Sequence, residues 1–417
     1  MEDGWEPRSS LVRAAAALTV LTLLPAAALS LSGVARASPG LTMEVPADAG
    51  SGPLHGTSGL DAPTVDALMR AWESGLFASF GWDGVTATGS FLQFSFTPSS
   101  GAISAVLAKN GTETLAILES IEIHPTAGFA PPIAAGPLFT ATGDAMTILA
   151  HDTPAGLLEF RTGSAPAAVV FRLLSFATAV TDRTSSMAWP QASVTFSIGE
   201  SRVRLVSGAG SLNVTGMTVT ANMTADDLLV MRIVPAFLRD RSQASAVLDA
   251  LGSGRLAAEY ALVSSSDGGW IQDAVRYRRG LLAGPTMVSA GHAAVWLGSP
   301  LQRDGLLLLG FDPLTMPADP GHRLVVTVNG TEVHESTDVL GAFYASPGGK
   351  ENPFYARLAA NATVLALYLP SLHDSTVDIS STPIPRPVVD WSTEAAIIAA
   401  LAVVSVAAAV MFRRRET

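Results

Sequence analysis

Residues 193–206 read SVTFSIGESRVRLV. In the first half Val194, Phe196 and Ile198 recur at every second position, and in the second half Val203 and Leu205 do the same. A period of two puts apolar side chains on one face of an extended strand and polar ones on the other. Gly199-Glu200-Ser201 supplies turn residues between the halves, so the stretch predicts a β-hairpin.

The same pattern spreads outward from this hairpin. Ser90 to Thr97 reads SFLQFSFT and places Leu92, Phe94 and Phe96 opposite Phe91, Gln93 and Ser95. Short strand-like runs continue at 212–215, 217–221, 228–234, 306–311, 324–328 and 363–369, with turn residues about every ten positions. Two further hairpins are centred on Asn-Gly pairs: 102–109 with 112–118 around Asn110-Gly111, and 324–328 with 331–333 around Asn329-Gly330. Asn-Gly suits the type I′ turn, whose two central residues both need φ > 0. The chain therefore reads as mainly β, with one or two antiparallel, sandwich-like or stacked-sheet domains.

Helical spacing is rare. Val65, Leu68, Met69, Trp72 and Leu76 follow a helical stripe, with Asp61 and Pro63 as start signals and Gly75 as a stop. Ala244, Val247, Leu248 and Leu251 form a second stripe, with Ser242 as N-cap and Gly252 as stop. Both stripes read as core packing. The second helix predicts a connector over 236–255, dividing β-rich regions at 38–235 and 256–380.

The two ends carry a different signal. Arg8 and Arg13 precede an apolar run from Ala14 to Leu31, followed by Ala35-Arg36-Ala37. These are the parts of a secretory signal over 1–37, with cleavage after Ala37; left uncut, the segment is a second anchor. Near the other end, Ala395 to Phe412 holds 18 residues without a charge, flanked by Trp391 and Arg413-Arg414-Arg415. A helix of that length spans about 27 Å, close to the ~30 Å hydrocarbon core, and the arginines orient its end to the cytoplasm. Residues 381–394 include Pro383, Pro385 and Pro387 and read as an extended stalk. The expected topology is a single-pass protein of the plasma membrane with an extracellular β-rich ectodomain, a transmembrane helix at 395–412 and a short basic tail at 413–417.

Composition narrows the function. Charged residues make up only 15% of the 417, too few for a long disordered chain. There is no Cys, which removes disulfides, Cys nucleophiles and Cys metal sites. Six of the 25 Lys and Arg and four of the 36 Asp and Glu lie outside 38–394, leaving that region near −13. Such a field argues against nucleic acid as a partner.

Five sequons mark glycosylation candidates: Asn110, Asn213, Asn222, Asn329 and Asn361, each followed at the third position by Thr. Asn110 and Asn329 sit on expected turn tips. Enzyme signatures such as G-x-S-x-G, H-E-x-x-H and the phosphate-binding glycine loops do not occur. The seven histidines are scattered; His151-Asp152 and His373-Asp374 are adjacent pairs, and His334-Glu335 with Asp338 is the most compact cluster. Asp226-Asp227, Asp312 and Asp319 do not match the spacing of a Ca²⁺ loop. The sequence calls for no cofactor and no metal. The expected function is a glycosylated surface protein in envelope structure, adhesion or ligand binding, with envelope proteins or glycans as partners beside the lipid bilayer. A membrane-anchored hydrolase with a loop-built site, or an accessory or sensor subunit, are the alternatives.

Overall fold

The structure, a computed structural model, describes residues 61–384 apart from 127, 181–191, 237–240, 301–302, 318–320, 339–342, 344–353 and 359–361. The first helix, α1, spans Ala62–Glu73. Sixteen strands follow: β1 (Gly81–Trp82), β2 (Thr86–Thr88), β3 (Leu92–Thr97), β4 (Ala102–Asn110), β5 (Glu113–His124), β6 (Ile133–Ala135), β7 (Leu138–Thr142), β8 (Met146–His151), β9 (Leu157–Thr162), β10 (Ala167–Leu173), β11 (Thr178–Val180), β12 (Ala192–Ile198), β13 (Ser201–Ser207), β14 (Ser211–Thr215), β15 (Thr218–Met223) and β16 (Leu228–Val234). After α2 (Arg241–Gly252) come β17 (Leu256–Ser264), β18 (Trp270–Arg276), β19 (Leu282–Ser289), β20 (His292–Gly298), β21 (Gly305–Phe311), β22 (His322–Val328), β23 (Thr331–Glu332), β24 (His334–Glu335), β25 (Phe354–Leu358), β26 (Thr363–Leu369) and β27 (Ser375–Pro383).

Four sheets result. Two have eight strands each, ordered β1-β2-β3-β4-β5-β10-β15-β14 and β11-β12-β13-β16-β9-β8-β7-β6. The third is ordered β18-β17-β21-β26-β25-β24 and the fourth β19-β20-β27-β22-β23. The mainly β, antiparallel reading holds, with two exceptions in the third sheet: β17 pairs parallel with β21, and β24 with β25.

The burial of each strand shows its layer. The first two sheets enclose one core, in which Phe94, Phe96, Phe139, Ile148 and Phe160 are almost fully buried. The last two enclose another around Leu307, Leu309, Leu365, Leu367 and Ile379. A third apolar cluster joins the outer face of the second sheet (Leu157, Val206, Val230) to α2 and the outer face of the third (Leu306, Leu308, Ala366). Middle-layer strands are therefore apolar on both faces, as in β16 (LLVMRIV) and β21 (GLLLLGF), where every residue is buried. Outer-layer strands alternate, as in β3 and β15. Both patterns follow from which faces meet water.

The hairpin at 193–206 forms as expected, with Ile198 opposite Ser201 and Val194, Phe196, Val203 and Leu205 fully buried. The Asn329-Gly330 turn has φ of 51° and 77°, the sign pattern of type I′. The other Asn-Gly hairpin is shifted by one. Asn110 pairs with Glu113, so the loop is Gly111-Thr112, with positive φ at Gly111 and not at Asn110. That is the sign pattern of type II′, which needs Gly at the first central position.

Both helices form, with corrections. Helix α1 is capped by Asp61, whose carboxylate accepts from Thr64 N at 2.9 Å. It ends in a Schellman motif at Gly75 (φ 69°), with Leu76 N donating to Ala71 O. Its buried face is Ala67, Leu68 and Ala71, packed on Val263. Val65, Met69 and Trp72 of the expected core stripe are exposed. Helix α2 buries Val247, Leu248 and Leu251 as expected. Ser242 lies inside the helix, and the stop is Gly254 (φ 72°), reached through Arg255 N to Ala250 O and Gly254 N to Leu251 O.

β27 runs on to Pro383, so the first three residues of the expected stalk are strand. Among the described residues no helix is long and apolar enough to cross a membrane. Ala37, Asn361, Trp391, the run 395–412 and Arg413, Arg414 and Arg415 lie outside the described residues.

Candidate functional site

Single charges interrupt the apolar runs of the middle layers, and they meet between the second and third sheets. From the second sheet come His151 at the end of β8, Glu159 and Arg161 on β9, and Arg232 on β16. From the third come Glu259 on β17, Asp273 on β18, and Tyr277 just beyond that strand. His151 Nδ1 lies 2.6 Å from Asp273 Oδ1 across the layers, and its Nε2 lies 3.4 Å from Glu159 Oε1. Arg161 closes the row by donating to Glu159 Oε2 from Nε at 2.9 Å and Nη2 at 2.5 Å. Beside it Arg232 Nη1 donates to Glu259 and, at 2.9 Å, to Tyr277 Oη, while Tyr277 Oη donates to Glu259 Oε1 at 2.6 Å.

Electrostatics sets the protonation states. Burial alone would lower the pKa of His151, which is 1% exposed. The adjacent charges of Asp273 and Glu159 outweigh burial and raise it to about 10. Burial pushes Glu159 up, yet the close approach of His151 and the charge of Arg161 hold it below the usual range. The phenol of Tyr277 is driven well up, first by burial and then by Glu259, so it stays a donor. At neutral pH His151 is therefore protonated and Glu159 ionised, so opposite charges face each other within the row.

A cavity of about 270 Å³ opens at one side of this row. Leu76, Thr153, Arg232, Gln243, Glu259 and Asp273 are among its lining residues. It sits where two sandwiches meet, a common place for small ligands, though small for a pocket of that kind. An imidazole raised to about 10 is protonated near pH 7 and cannot accept a proton as a general base. The chemistry of this arrangement is attraction between layers.

The neighbouring ionic groups organise backbone. Asp152, next to His151, turns away and accepts from the N–H groups of Ser90, Phe91 and Leu92 at 2.7, 2.7 and 3.0 Å. Burial raises its pKa to about 6 against those three donors. Gly89 is required beside it, because a Cβ there would collide with the Asp152 carboxylate. Asp227 accepts from Ala209 N and Leu228 N, both at 2.8 Å, and Asp312 accepts from Arg70 Nε at 3.1 Å. The acidic pairs singled out in the sequence thus shape turns, and Asp319 lies outside the described residues. Among the described residues no group of three or more His, Asp or Glu is arranged to hold a metal ion.

The other sequence candidates are dispersed. Asn110, Asn213, Asn222 and Asn329 are exposed. Asn213 lies opposite Thr220, and Asn222 opposite Ser211, on the paired strands β14 and β15. His334 and Glu335 form the exposed edge strand β24, with Glu335 3.3 Å from Tyr355 Oη. His373 Nδ1 is 2.6 Å from Ser299 O, and His292 Nε2 is 2.8 Å from Asp378 Oδ2. Among the described histidines only His151 enters the buried row. Its partners were not singled out, although one charge inside a run such as LLEF or LVMRIV is a readable signal of a buried pair.

No protein-family model matches the chain, and no curated protein matches it.

Proposed function

We propose that this chain is an exported cell-surface protein, anchored once near its C-terminus, whose stacked β ectodomain serves in envelope structure, adhesion or ligand binding. The observation that carries the reading is the charge-free run Ala395–Phe412 closed by Arg413, Arg414 and Arg415. Ten residues lie between it and Ile384, the last described residue beyond β27. An apolar N-terminal segment ending in Ala35-Arg36-Ala37 supports export.

The test is membrane fractionation of cells making the full chain or a chain truncated at Trp391. The full chain is expected in the membrane pellet and the truncated one in the soluble or secreted fraction. A truncated chain that still pellets with membranes removes the C-terminal run as the sole anchor. External protease should remove the ectodomain of the full chain from intact cells; complete protection would defeat the surface assignment.

A further inference from the structure

We infer that the end of the second sandwich from which the chain departs is a bilayer-contacting surface, seated on the uncharged interfacial layer of the membrane. The inference rests on the anchored reading above and adds where the ectodomain touches lipid. Four segments meet at this end: the β17–β18 turn, the loop 312–317, the β19–β20 turn and the departing residues Ser381–Ile384. Ser264 N donates to Thr315 Oγ1 at 2.8 Å, and Gly291 N to Thr315 O at 2.6 Å. Ser381 N donates to Gly291 O at 2.8 Å, Ser381 Oγ to Pro317 O, and Ile384 N to Gly321 O at 2.8 Å. Helix α1 is bolted to the same place by Arg70, which donates to Asp312 and to Ser264 O.

Three of these segments each expose a large apolar side chain. Leu314 is 59% exposed, Ile384 48% and Trp270 39%. Leu314 is held out by a rigid loop: Thr315 N donates to Asp312 Oδ1, Met316 N to Asp312 O, and Met316 itself is fully buried. Leaving such side chains in water is unfavourable, and tryptophan favours the membrane interface, where its ring is half apolar and half polar. Position selects lipid as the occupant. Ten residues separate Ile384 from Ala395, and fully extended they span at most ~35 Å, so the linker keeps this end close to the bilayer. The exposed carboxylate of Asp267 lies three residues before Trp270, which favours uncharged over anionic headgroups.

The chain has no native Cys, so single labels can be placed cleanly. The full chain would carry Leu314→Cys, Ser405→Cys or Thr331→Cys, each with an environment-sensitive fluorophore, in phosphatidylcholine nanodiscs containing doxyl-labelled lipid. Ser405 lies within the anchor run, and Thr331 opens β23 at the opposite strand ends. The expected result is strong quenching at 405, at least half as much at 314, and little at 331. Replacing a third of the lipid with phosphatidylserine should lower quenching at 314 and leave 405 unchanged. Quenching at 405 with none at 314 overturns the inference and leaves the anchor standing. Equal quenching at 314 and 331 overturns it as well, since contact would then be unspecific. Absence of quenching at 405 defeats the anchored reading, and the inference falls with it. As a second variant, Leu314→Asp should reduce quenching of a label at Trp270→Cys at least twofold; an unchanged value overturns the shared surface.

Discussion

Nδ1 of His151, in the second sheet, lies 2.6 Å from Oδ1 of Asp273, in the third, and the two residues are 1% and 4% exposed. Two sandwiches are thus joined by a charged hydrogen bond, with the Arg232, Glu259 and Tyr277 cluster beside it in the same interface. Removing one partner of a buried ion pair leaves the other charge unpaired and typically costs about 3–5 kcal/mol. Asp273→Ala is expected to cost that much, read as a lower unfolding midpoint in denaturant. His151→Leu combined with Asp273→Leu should cost clearly less than the sum of the single changes, because no charge is left stranded. Additive losses would show that the pair contributes no coupling.

The same pair predicts loss of stability in mild alkali. The folded pKa of His151 is raised from 6.5 to about 10, so its contribution is complete below pH 6.5 and drains away as pH rises through 10. One proton bound by the folded chain and absent from the unfolded one gives a slope of about 1.4 kcal/mol per pH unit. Asp152, raised to about 6, is already ionised in this range, and Arg278, lowered by burial to about 9, enters only above it. Between pH 7 and 8.5 the unfolding free energy should fall by about 2 kcal/mol. The slope should flatten in His151→Leu; an unchanged slope there would assign the effect to other groups.

How much of this was legible follows from range along the chain. Outer-layer strands such as SFLQFSFT declare themselves by alternation, and Asp61, Pro63 and Gly75 bracket α1 where the structure puts it. The buried face of α1 was misread because close packing on Val263 selects the small Ala67 and Ala71, leaving the larger Val65, Met69 and Trp72 outside. β17 reads LAAEYALVS, a composition helices also favour, and becomes a strand because it pairs with β18 on one side and β21 on the other. His151 and Asp273 are 122 positions apart, and nothing local marks them as partners. The single charge within each apolar strand was the available clue.

Gly252 and Gly254 are expected to respond differently to alanine. Gly254 ends α2 with φ 72°, so Gly254→Ala should cost about 1–2 kcal/mol from backbone strain alone. At Gly252 the obstacle is a neighbour: a Cβ would collide with the guanidinium of Arg204, whose Nη1 donates to Leu248 O at 2.5 Å. Displacing that charged hydrogen bond costs about 1.5–3 kcal/mol, against a helix-propensity gain of up to ~1 kcal/mol. Gly252→Ala should therefore destabilise the native chain and become neutral or stabilising when Arg204→Ala clears the space. A penalty that persists in the Arg204→Ala background would refute the steric cause.

Asn110 and Asn329 both sit at hairpin turns, and their side chains are committed differently. Asn329 Oδ1 accepts from Thr376 N at 2.8 Å, and its φ is 51°, a conformation Asn tolerates better than Gln. Asn110 carries no such φ and is exposed at the end of β4. Asn329→Gln should thus cost about 1 kcal/mol whether or not a glycan is attached, and Asn110→Gln should be close to neutral. If the exported chain is glycosylated, Asn110→Gln isolates the modification, since a loss of one glycan mass would come without loss of stability. Intact mass spectrometry of protein from its own cells is expected to show that decrement. A mass equal to the bare polypeptide in both forms would reject Asn110 as a modified site, and a melting change on Asn110→Gln would show the side chain holding the turn.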